Sequence, residues 1–166
     1  MSSLAPFQIE LRADDPSLSL RELTFAQADE YYALIDRNRG HLTQFGNYRD
    51  EGKATLKWVK TSLTRPAAEL RFGIWISGEL VGQVELAQRE RTGFALAYWL
   101  GSEHVGHGSM NKALVRLMQH ARERFGATAF FAGVTHGNVR SAAVLTKLGY
   151  QIAIVHADHS VFTRAS

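Results

Sequence analysis

The sequence contains no cysteine, and this absence narrows the chemistry available to the chain. Disulfide bonds, thiolate metal ligands and a cysteine nucleophile are all excluded, so no covalent cysteinyl intermediate forms during a reaction. Any transfer of an acyl group must therefore use a route that needs no enzyme thiol.

Long hydrophobic runs and a secretory leader are also missing. No run approaches the ~18 uninterrupted apolar residues of a membrane span, and residues 1–6 lack the basic region and apolar core of a signal peptide. We therefore expect a cytoplasmic protein without a membrane partner.

The sequence has no block of like charges. The formal net charge is +3, and the basic residues are scattered. A mild positive charge suits an anionic small ligand as well as a polymer, so composition alone does not choose between them. Because no lysine and arginine block occurs, we expect no nucleic-acid partner.

The length of 166 residues and the 45% hydrophobic content predict one domain, spanning residues 1–166. Residues 1–17 are weakly patterned, and we interpret them as a mobile or loosely packed lead-in with room for an edge strand. No internal repeat is visible. The oligomeric state is open between a monomer and a homodimer.

The first half of the chain predicts a strand, two helices and a hairpin. Residues 18–23 alternate as a strand, and Thr24 with Gln27 forms a capping box before a helix at 25–37 that stops at Gly40. A second helix covers 51–63, with Arg65-Pro66 ending it. Alternating runs at 70–76 and 80–86 flank a short turn and predict a hairpin.

The second half adds an aromatic strand at 94–100, which completes an antiparallel meander with the hairpin. A helix follows a glycine loop and closes near Gly126, and residues 129–134 form a short apolar strand expected to be buried on both faces. Asn138 and Gly149 bound another helix at 139–148. Residues 150–155 and 160–163 are the last two strands.

The glycine loop is the stretch with the clearest chemical meaning. Gly106 and Gly108 let backbone N–H groups approach a ligand closely, and the helix that follows supplies unpaired N–H groups at its start. A strand, glycine loop and helix in this order is typical of an anion site. A lone pair of glycines more often only turns the chain, but a second informative segment, 135–150, favours the functional interpretation.

Together these segments resemble the GNAT superfamily of acyl-CoA-dependent N-acetyltransferases, and within it the RimJ/RimL-like branch. The motifs that carry the resemblance stand in the family's order and spacing: Tyr98-Trp99-Leu100, Gly106-His107-Gly108, Asn138-x-x-Ser141 and Leu148-Gly149-Tyr150. Residues 36–42 look like the segment that this branch has after its first helix. The resemblance implies an α/β fold: a mixed, mostly antiparallel sheet with a splayed parallel strand pair and helices on both faces.

The resemblance also implies acetyl-coenzyme A as the acyl donor. Its pyrophosphate would lie on the amides of the glycine loop, and its pantetheine arm would run between the strands at 94–100 and 129–134. The residues that the resemblance assigns to cofactor binding are Trp99, Leu100, Val105, Gly106, His107, Gly108, Ser109, Met110, Asn111, Asn138 and Ser141.

Ser141 is the first catalytic candidate, because the branch places this serine near the sulfur, where its hydroxyl can donate to the departing thiolate. Many GNAT enzymes have a tyrosine seven residues after the asparagine, but Leu145 stands there. The alternative is that a serine stands at position 141 only because a small side chain suits the packing of the helix. For Asn138 the alternatives are contact with the pantetheine and a plain helix cap.

Glu85 is the second catalytic candidate. The attacking amine must be neutral, and the glutamate that many relatives carry just before the Tyr-Trp motif is missing. Glu85 shares a strand face with Gln83 and would be costly to bury without a purpose. An ion pair with Arg71 or Arg91 explains it equally well.

Weaker candidates for the base are His41, His136, His156, Asp158 and His159.

Two departures from the family pattern, Val105 and Met110 in the glycine loop, would weaken phosphate binding without abolishing it. His104 and His107 lie on a loop without a visible third ligand, so we expect no metal site.

The acceptor is expected to be a primary amine, either a protein N-terminal α-amine or a small molecule. The residues assigned to the acceptor side are Asn38, His41, Phe45, Tyr48 and Glu85, together with the final hairpin. The predicted reaction is direct attack in a ternary complex. The alternative is a non-catalytic acyl-CoA-binding or sensing module of the same fold.

Overall fold

A computed structural model describes residues 9–64 and 69–165. The strands are Glu10–Arg12 (β1), Leu18–Glu22 (β2), Glu69–Ile76 (β3), Glu79–Gln88 (β4), Gly93–Leu100 (β5), Ala129–Thr135 (β6), Gln151–Val155 (β7) and His159–Ala165 (β8). The α-helices are Ala28–Asp36 (α1), Arg39–Thr43 (α2), Arg49–Gly52 (α3), Leu56–Leu63 (α4), Ser109–Phe125 (α5) and Val139–Lys147 (α6).

The described strands form one sheet in the order β1-β2-β3-β4-β5-β6-β8-β7. The predicted meander is confirmed, since β3, β4 and β5 are antiparallel neighbours. Only β5 and β6 run parallel among the described strands, which gives the mixed, mostly antiparallel sheet that the resemblance implied. None of the described helices is long and apolar enough to cross a lipid bilayer.

The parallel pairing between β5 and β6 is short. It covers only Gly93–Ala95 against Ala129–Phe131, and the two strands then diverge. On the other side of β5 the ladder with β4 continues, and the Gly101 N–H donates to the Val81 carbonyl at 2.8 Å. In an antiparallel ladder, every second residue of a strand bonds to the neighbouring strand. Because Gly101 bonds to β4, Tyr98 and Leu100 do not, and their carbonyls point away from β4 into the gap.

Two hydrophobic clusters pack on the sheet. The larger cluster joins α5 and α6 to the sheet and includes Phe72, Leu114 and Phe130. The smaller cluster joins α1 and α4 to Trp75, Leu80 and Trp99. Adjacent residues of a strand point to opposite faces, and Leu100 lies in the first cluster while Trp99 lies in the second. The helices therefore cover both faces, as predicted.

The helical region before β3 differs from the prediction. Gly40 does not stop the first helix: α1 ends at Asp36, where the Asn38 amide donates to the Leu34 carbonyl at 2.9 Å, and Gly40 lies within α2. Glycines that end helices here take a left-handed conformation, as Gly126 does with φ 64°, and Gly40 does not. The Thr24 capping box is confirmed, with the Thr24 N–H donating to Gln27 at 2.9 Å.

The predicted helix over 51–63 is two helices. Helix α3 ends at Gly52, and α4 begins after Thr55, whose hydroxyl accepts from the Trp58 N–H at 3.1 Å. Thr55 caps a new helix inside the region where the apolar residues keep helical spacing. The spacing alone therefore does not show that the helix is interrupted. The predicted stop at Arg65-Pro66 lies outside the described residues.

The strand β6 is not buried on both faces, contrary to the prediction. Phe130, Ala132 and Val134 are buried. On the other face Gly133 is exposed, and Ala129, Phe131 and Thr135 are half-buried. The cluster around α1 and α4 does not extend to β6, so only the face toward α5 and α6 is covered. Within the lead-in, Glu10–Arg12 forms an edge strand, and residues 1–8 lie outside the described part of the chain.

We expect Gly82→Ala to destabilise the protein. A Cβ at Gly82 would lie 2.3 Å from the Trp99 carbonyl oxygen and 3.0 Å from the Leu100 Cα, which are backbone atoms that cannot rotate away. The free energy of unfolding, measured with urea, should fall by about 1–3 kcal/mol. The control is Gly133→Ala in β6, where a Cβ meets only a His159 ring carbon at 3.6 Å. Equal stabilities for the two variants would contradict this packing.

Candidate active site

A cavity of about 530 Å³ lies at the end of β5, beyond the part of the strand that pairs with β6. Three parts of the chain meet there: the segment 41–48, the end of β5 with the glycine loop, and α6. Of the sequence-predicted site residues, the cavity is lined by His41, Phe45, Tyr48, Trp99, Leu100, Val105, Gly106, Gly108, Ser109, Met110, Asn111, Asn138 and Ser141.

The glycine loop has the backbone that an anion site requires. Gly106 and Gly108 adopt left-handed conformations with φ 84° and 77°, and the space beside each is open. Helix α5 begins immediately after Gly108, so its first N–H groups and the positive end of its dipole face the cavity mouth. The loop residue His107 is exposed and does not line the cavity.

Asn138 and Ser141 lie on the first turn of α6. The Asn138 Oδ1 accepts from the Ser141 N–H at 3.2 Å, so the cap that the sequence predicted is present. Asn111 also lines the cavity, but its amide donates to the Val144 carbonyl at 3.1 Å and thereby ties α5 to α6. This bond fixes the glycine loop and the start of α6 relative to each other.

The structure adds Tyr98, which the sequence motif contained but which was not predicted as a site residue. Its hydroxyl lies 2.8 Å from the Ser141 hydroxyl, and both side chains line the cavity. Burial raises the pKa of Tyr98 to about 12. Strand alternation does place residue 98 on the same face as Leu96 and Leu100, but a pattern within one strand does not encode a contact with a helix 43 residues later.

Two side chains of the segment 41–48 bind the β5 carbonyls that face the gap. The Tyr48 hydroxyl donates to the Tyr98 carbonyl at 2.7 Å. His41 Nε2 lies 2.9 Å from the Leu100 carbonyl; because a carbonyl only accepts, Nε2 carries the hydrogen. Tyr48 has a positive φ of 53°, and burial raises the pKa of its hydroxyl. The segment is therefore held against the open edge of β5.

Two predicted acceptor-side residues do not line the cavity. Asn38 is 5% exposed, and its side chain accepts from the Ser102 N–H at 2.9 Å while donating to Leu34, so it joins the end of α1 to the loop after β5. Glu85 is bound by Arg71 Nε at 2.6 Å and by Gln83 Nε2 at 3.2 Å. Of the two interpretations of Glu85, the structure shows the ion pair with Arg71.

The charges around the cavity are distributed unevenly. Among the described residues that line it, none is aspartate or glutamate, whereas Arg140 and Lys147 lie on the α6 side. Cations beside amides at a helix start favour an anionic ligand on that side. The opposite side is formed by neutral polar and aromatic side chains, namely Gln44, Phe45, Asn47 and Tyr48.

These observations fit coenzyme A as a ligand. The glycine loop, α5 and the α6 cations suit its phosphates, and the open edge of β5 presents backbone groups at the spacing at which an extended amide chain pairs with a strand. The Ser141 hydroxyl also lines the cavity and can donate a hydrogen bond to a ligand bound there.

Comparisons with known proteins identify the family of the chain. The family model described as the acetyltransferase (GNAT) domain matches residues 17–151. No curated protein sequence shows significant similarity to the chain.

Solved structures share the fold at low sequence identity. RimL, a ribosomal L7/L12 α-N-protein acetyltransferase in complex with coenzyme A, superposes with a TM-score of 0.83 at 16% identity, covering 95% of this chain and 98% of that one. RimJ of Mycobacterium smegmatis, in complex with a coenzyme A disulfide, gives 0.81 at 20% identity and covers 96% and 87%.

A third similar structure is the microcin C7 self-immunity acetyltransferase MccE, in complex with acetyl-CoA and AMP. Its TM-score is 0.80 at 16% identity, with 92% of this chain and 94% of that chain covered. The family match spans most of the chain, and the fold agrees with it. The chain belongs to the GNAT acetyltransferase family and is an acyltransferase whose acyl donor is acetyl-coenzyme A.

Proposed function

We propose that this protein transfers an acetyl group from acetyl-coenzyme A to the α-amine of a peptide N-terminus, in a ternary complex and in the cytoplasm. The observation that carries the proposal is the single cavity that joins the glycine loop, the start of α6 and the segment 41–48. The fold shared with RimL and RimJ supports assignment to the RimJ/RimL-like branch.

The donor side is built mainly from backbone. When bound, acetyl-coenzyme A supplies an acetyl thioester, whose carbonyl is the electrophile. The amides of residues 105–110 would hold the phosphates, with Arg140 and Lys147 adding positive charge. The carbonyls of Tyr98 and Leu100 are already bound by Tyr48 and His41. The backbone N–H groups of the same two residues also point away from β4 and would pair with the pantetheine carbonyls.

Ser141 would stabilise the leaving group. The amine nitrogen forms a bond to the acetyl carbon, the carbon–sulfur bond breaks, and its electron pair leaves on sulfur. The Ser141 hydroxyl donates a hydrogen bond to that thiolate, and the proton lost by the amine passes to solvent. Asn138 keeps the backbone of Ser141 in place through the helix cap.

The acceptor side favours an α-amine over a lysine side chain. The described lining residues include no carboxylate that could deprotonate a cationic amine. An α-amine, with a pKa near 8, has a substantial neutral fraction at physiological pH, whereas only about one lysine ε-amine in a thousand is neutral because its pKa is ~10.4. The same lack of carboxylates disfavours polycationic acceptors such as aminoglycosides.

The proposal is tested by release of free thiol from acetyl-coenzyme A with a panel of amines. We expect turnover with unblocked peptides and none with the same peptides acetylated at the N-terminus, even when they contain lysine. Since the sequence has no cysteine, a thiol reagent reports coenzyme A alone. Binding of acetyl-coenzyme A by calorimetry without thiol release from any amine would indicate a non-catalytic binding module instead.

We expect Gly108→Val to abolish coenzyme A binding in calorimetry. A β-branched side chain at φ 77° is strained, and it would also stand beside the amides of the loop. The matched control is Gly78→Val, which carries similar strain at φ 83° in the turn between β3 and β4, outside the cavity. That variant should lose stability but keep its affinity; normal binding by Gly108→Val would exclude the loop as the phosphate site.

We expect Ser141→Ala to lower kcat by about 10²-fold, the effect of losing one hydrogen-bond donor to a developing negative charge, with little change in affinity for acetyl-coenzyme A. Thiol release gives kcat, and calorimetry gives the affinity. Ser109→Ala is a useful comparison because Ser109 also lines the cavity but lies on the loop side. An unchanged kcat in Ser141→Ala would remove this hydroxyl from the chemistry.

A further inference from the structure

Tyr98 is the one tyrosine whose hydroxyl contacts Ser141 among the described residues. The two oxygens are 2.8 Å apart, and the next acceptor near the Tyr98 hydroxyl is the Ser141 carbonyl at 3.4 Å. The backbone carbonyl of Tyr98 accepts from Tyr48 at 2.7 Å, so the residue is fixed at both ends. Its ring packs against the larger hydrophobic cluster.

The direction of the hydrogen bond follows from acidity. A phenol is a stronger acid than an aliphatic alcohol, so the Tyr98 hydroxyl is the better donor and the Ser141 oxygen the better acceptor. Ser141 lies at the cavity wall with Tyr98 on one side. When Tyr98 donates, the hydrogen of Ser141 is free to point away from Tyr98 into the cavity.

We propose that Tyr98 is a positioning residue that orients and polarises the Ser141 hydroxyl toward the thiolate of coenzyme A; this rests on the proposed function. The chain of donors runs from the Tyr98 O–H to the Ser141 oxygen, and from the Ser141 O–H to the sulfur. Hydrogen bonds in a chain polarise one another, so the second bond is stronger when the first is present. Neither hydroxyl loses its proton in this arrangement.

The kinetic test uses Tyr98→Phe, which keeps the ring and removes only the hydroxyl. We expect kcat for thiol release to fall about tenfold, the effect of one hydrogen bond in a charged network, with KM for acetyl-coenzyme A changed less than about twofold. In the Ser141→Ala background the same substitution should have no further effect, because the group that it orients is gone. An equal loss in both backgrounds would overturn the proposal.

The matched control is Tyr150→Phe. The Tyr150 hydroxyl is also buried and also makes one hydrogen bond, to the Met118 sulfur at 3.1 Å, but it does not line the cavity. Loss of that hydroxyl should leave kcat unchanged. Urea unfolding of both variants measures any change in stability, so a fall in kcat through poor folding is recognised by a matching fall in the unfolding midpoint.

A second measurement needs no acceptor amine. The ultraviolet absorbance of the thiolate gives the pKa of coenzyme A bound to the protein, with the protein saturated by desulfo-coenzyme A as the reference. Donors to a thiolate stabilise the charged form and lower its pKa. We expect a lower pKa than for free coenzyme A in the wild type, and a rise toward the free value in Tyr98→Phe and Ser141→Ala.

Thiol release and the thiol pKa together distinguish a failure of the proposed function from a failure of the role of Tyr98. If the wild type lowers the thiol pKa and Tyr98→Phe raises it again, but no amine is acetylated, the proposed function is refuted and the role of Tyr98 is supported. Turnover by Tyr98→Phe at the wild-type rate, with an unchanged thiol pKa, would refute the role of Tyr98 and leave the proposed function standing.

Discussion

The early end of the parallel pairing between β5 and β6 is the constraint on which the site depends. Beyond three residue pairs the two strands separate, and the carbonyls of Tyr98 and Leu100 have no partner strand. A buried backbone group left without a partner costs about 1–3 kcal/mol. His41 and Tyr48 satisfy these carbonyls, and in doing so they place the segment 41–48 over the gap.

Most of the fold could be predicted because its signals are local. The meander follows from alternation, and α5 and α6 are bounded by Gly108, Gly126, Asn138 and Gly149, whose conformations match their predicted roles. The short helices before β3 could not be predicted in the same way. Glycine ends α5 at Gly126, but Gly40 lies inside α2. Thr55 interrupts the apolar pattern as the N-cap of α4. The effect of each residue depends on neighbouring segments, which the local sequence does not show.

The backbone part of the site was predictable, and the side-chain part was only partly so. The glycine loop, Asn138 and Ser141 come together because strand, loop and helix order brings them to one edge. Asn38 and Glu85 turn out to be engaged elsewhere, by Ser102 and Arg71. Such pairings, and that of Tyr98 with Ser141, join residues far apart in sequence, and spacing within one element carries no information about them.

The two hydrophobic clusters on opposite faces of the sheet have a consequence for divergence. The elements that present the glycine loop and Ser141 are anchored in the cluster around α5, whereas the segment 41–48 is anchored in the cluster around α1 and α4 through Leu42 and Tyr48. Substitutions at well-separated positions have nearly independent effects. Substitutions within residues 41–48 can therefore change one wall of the cavity while the glycine loop and Ser141 keep their positions.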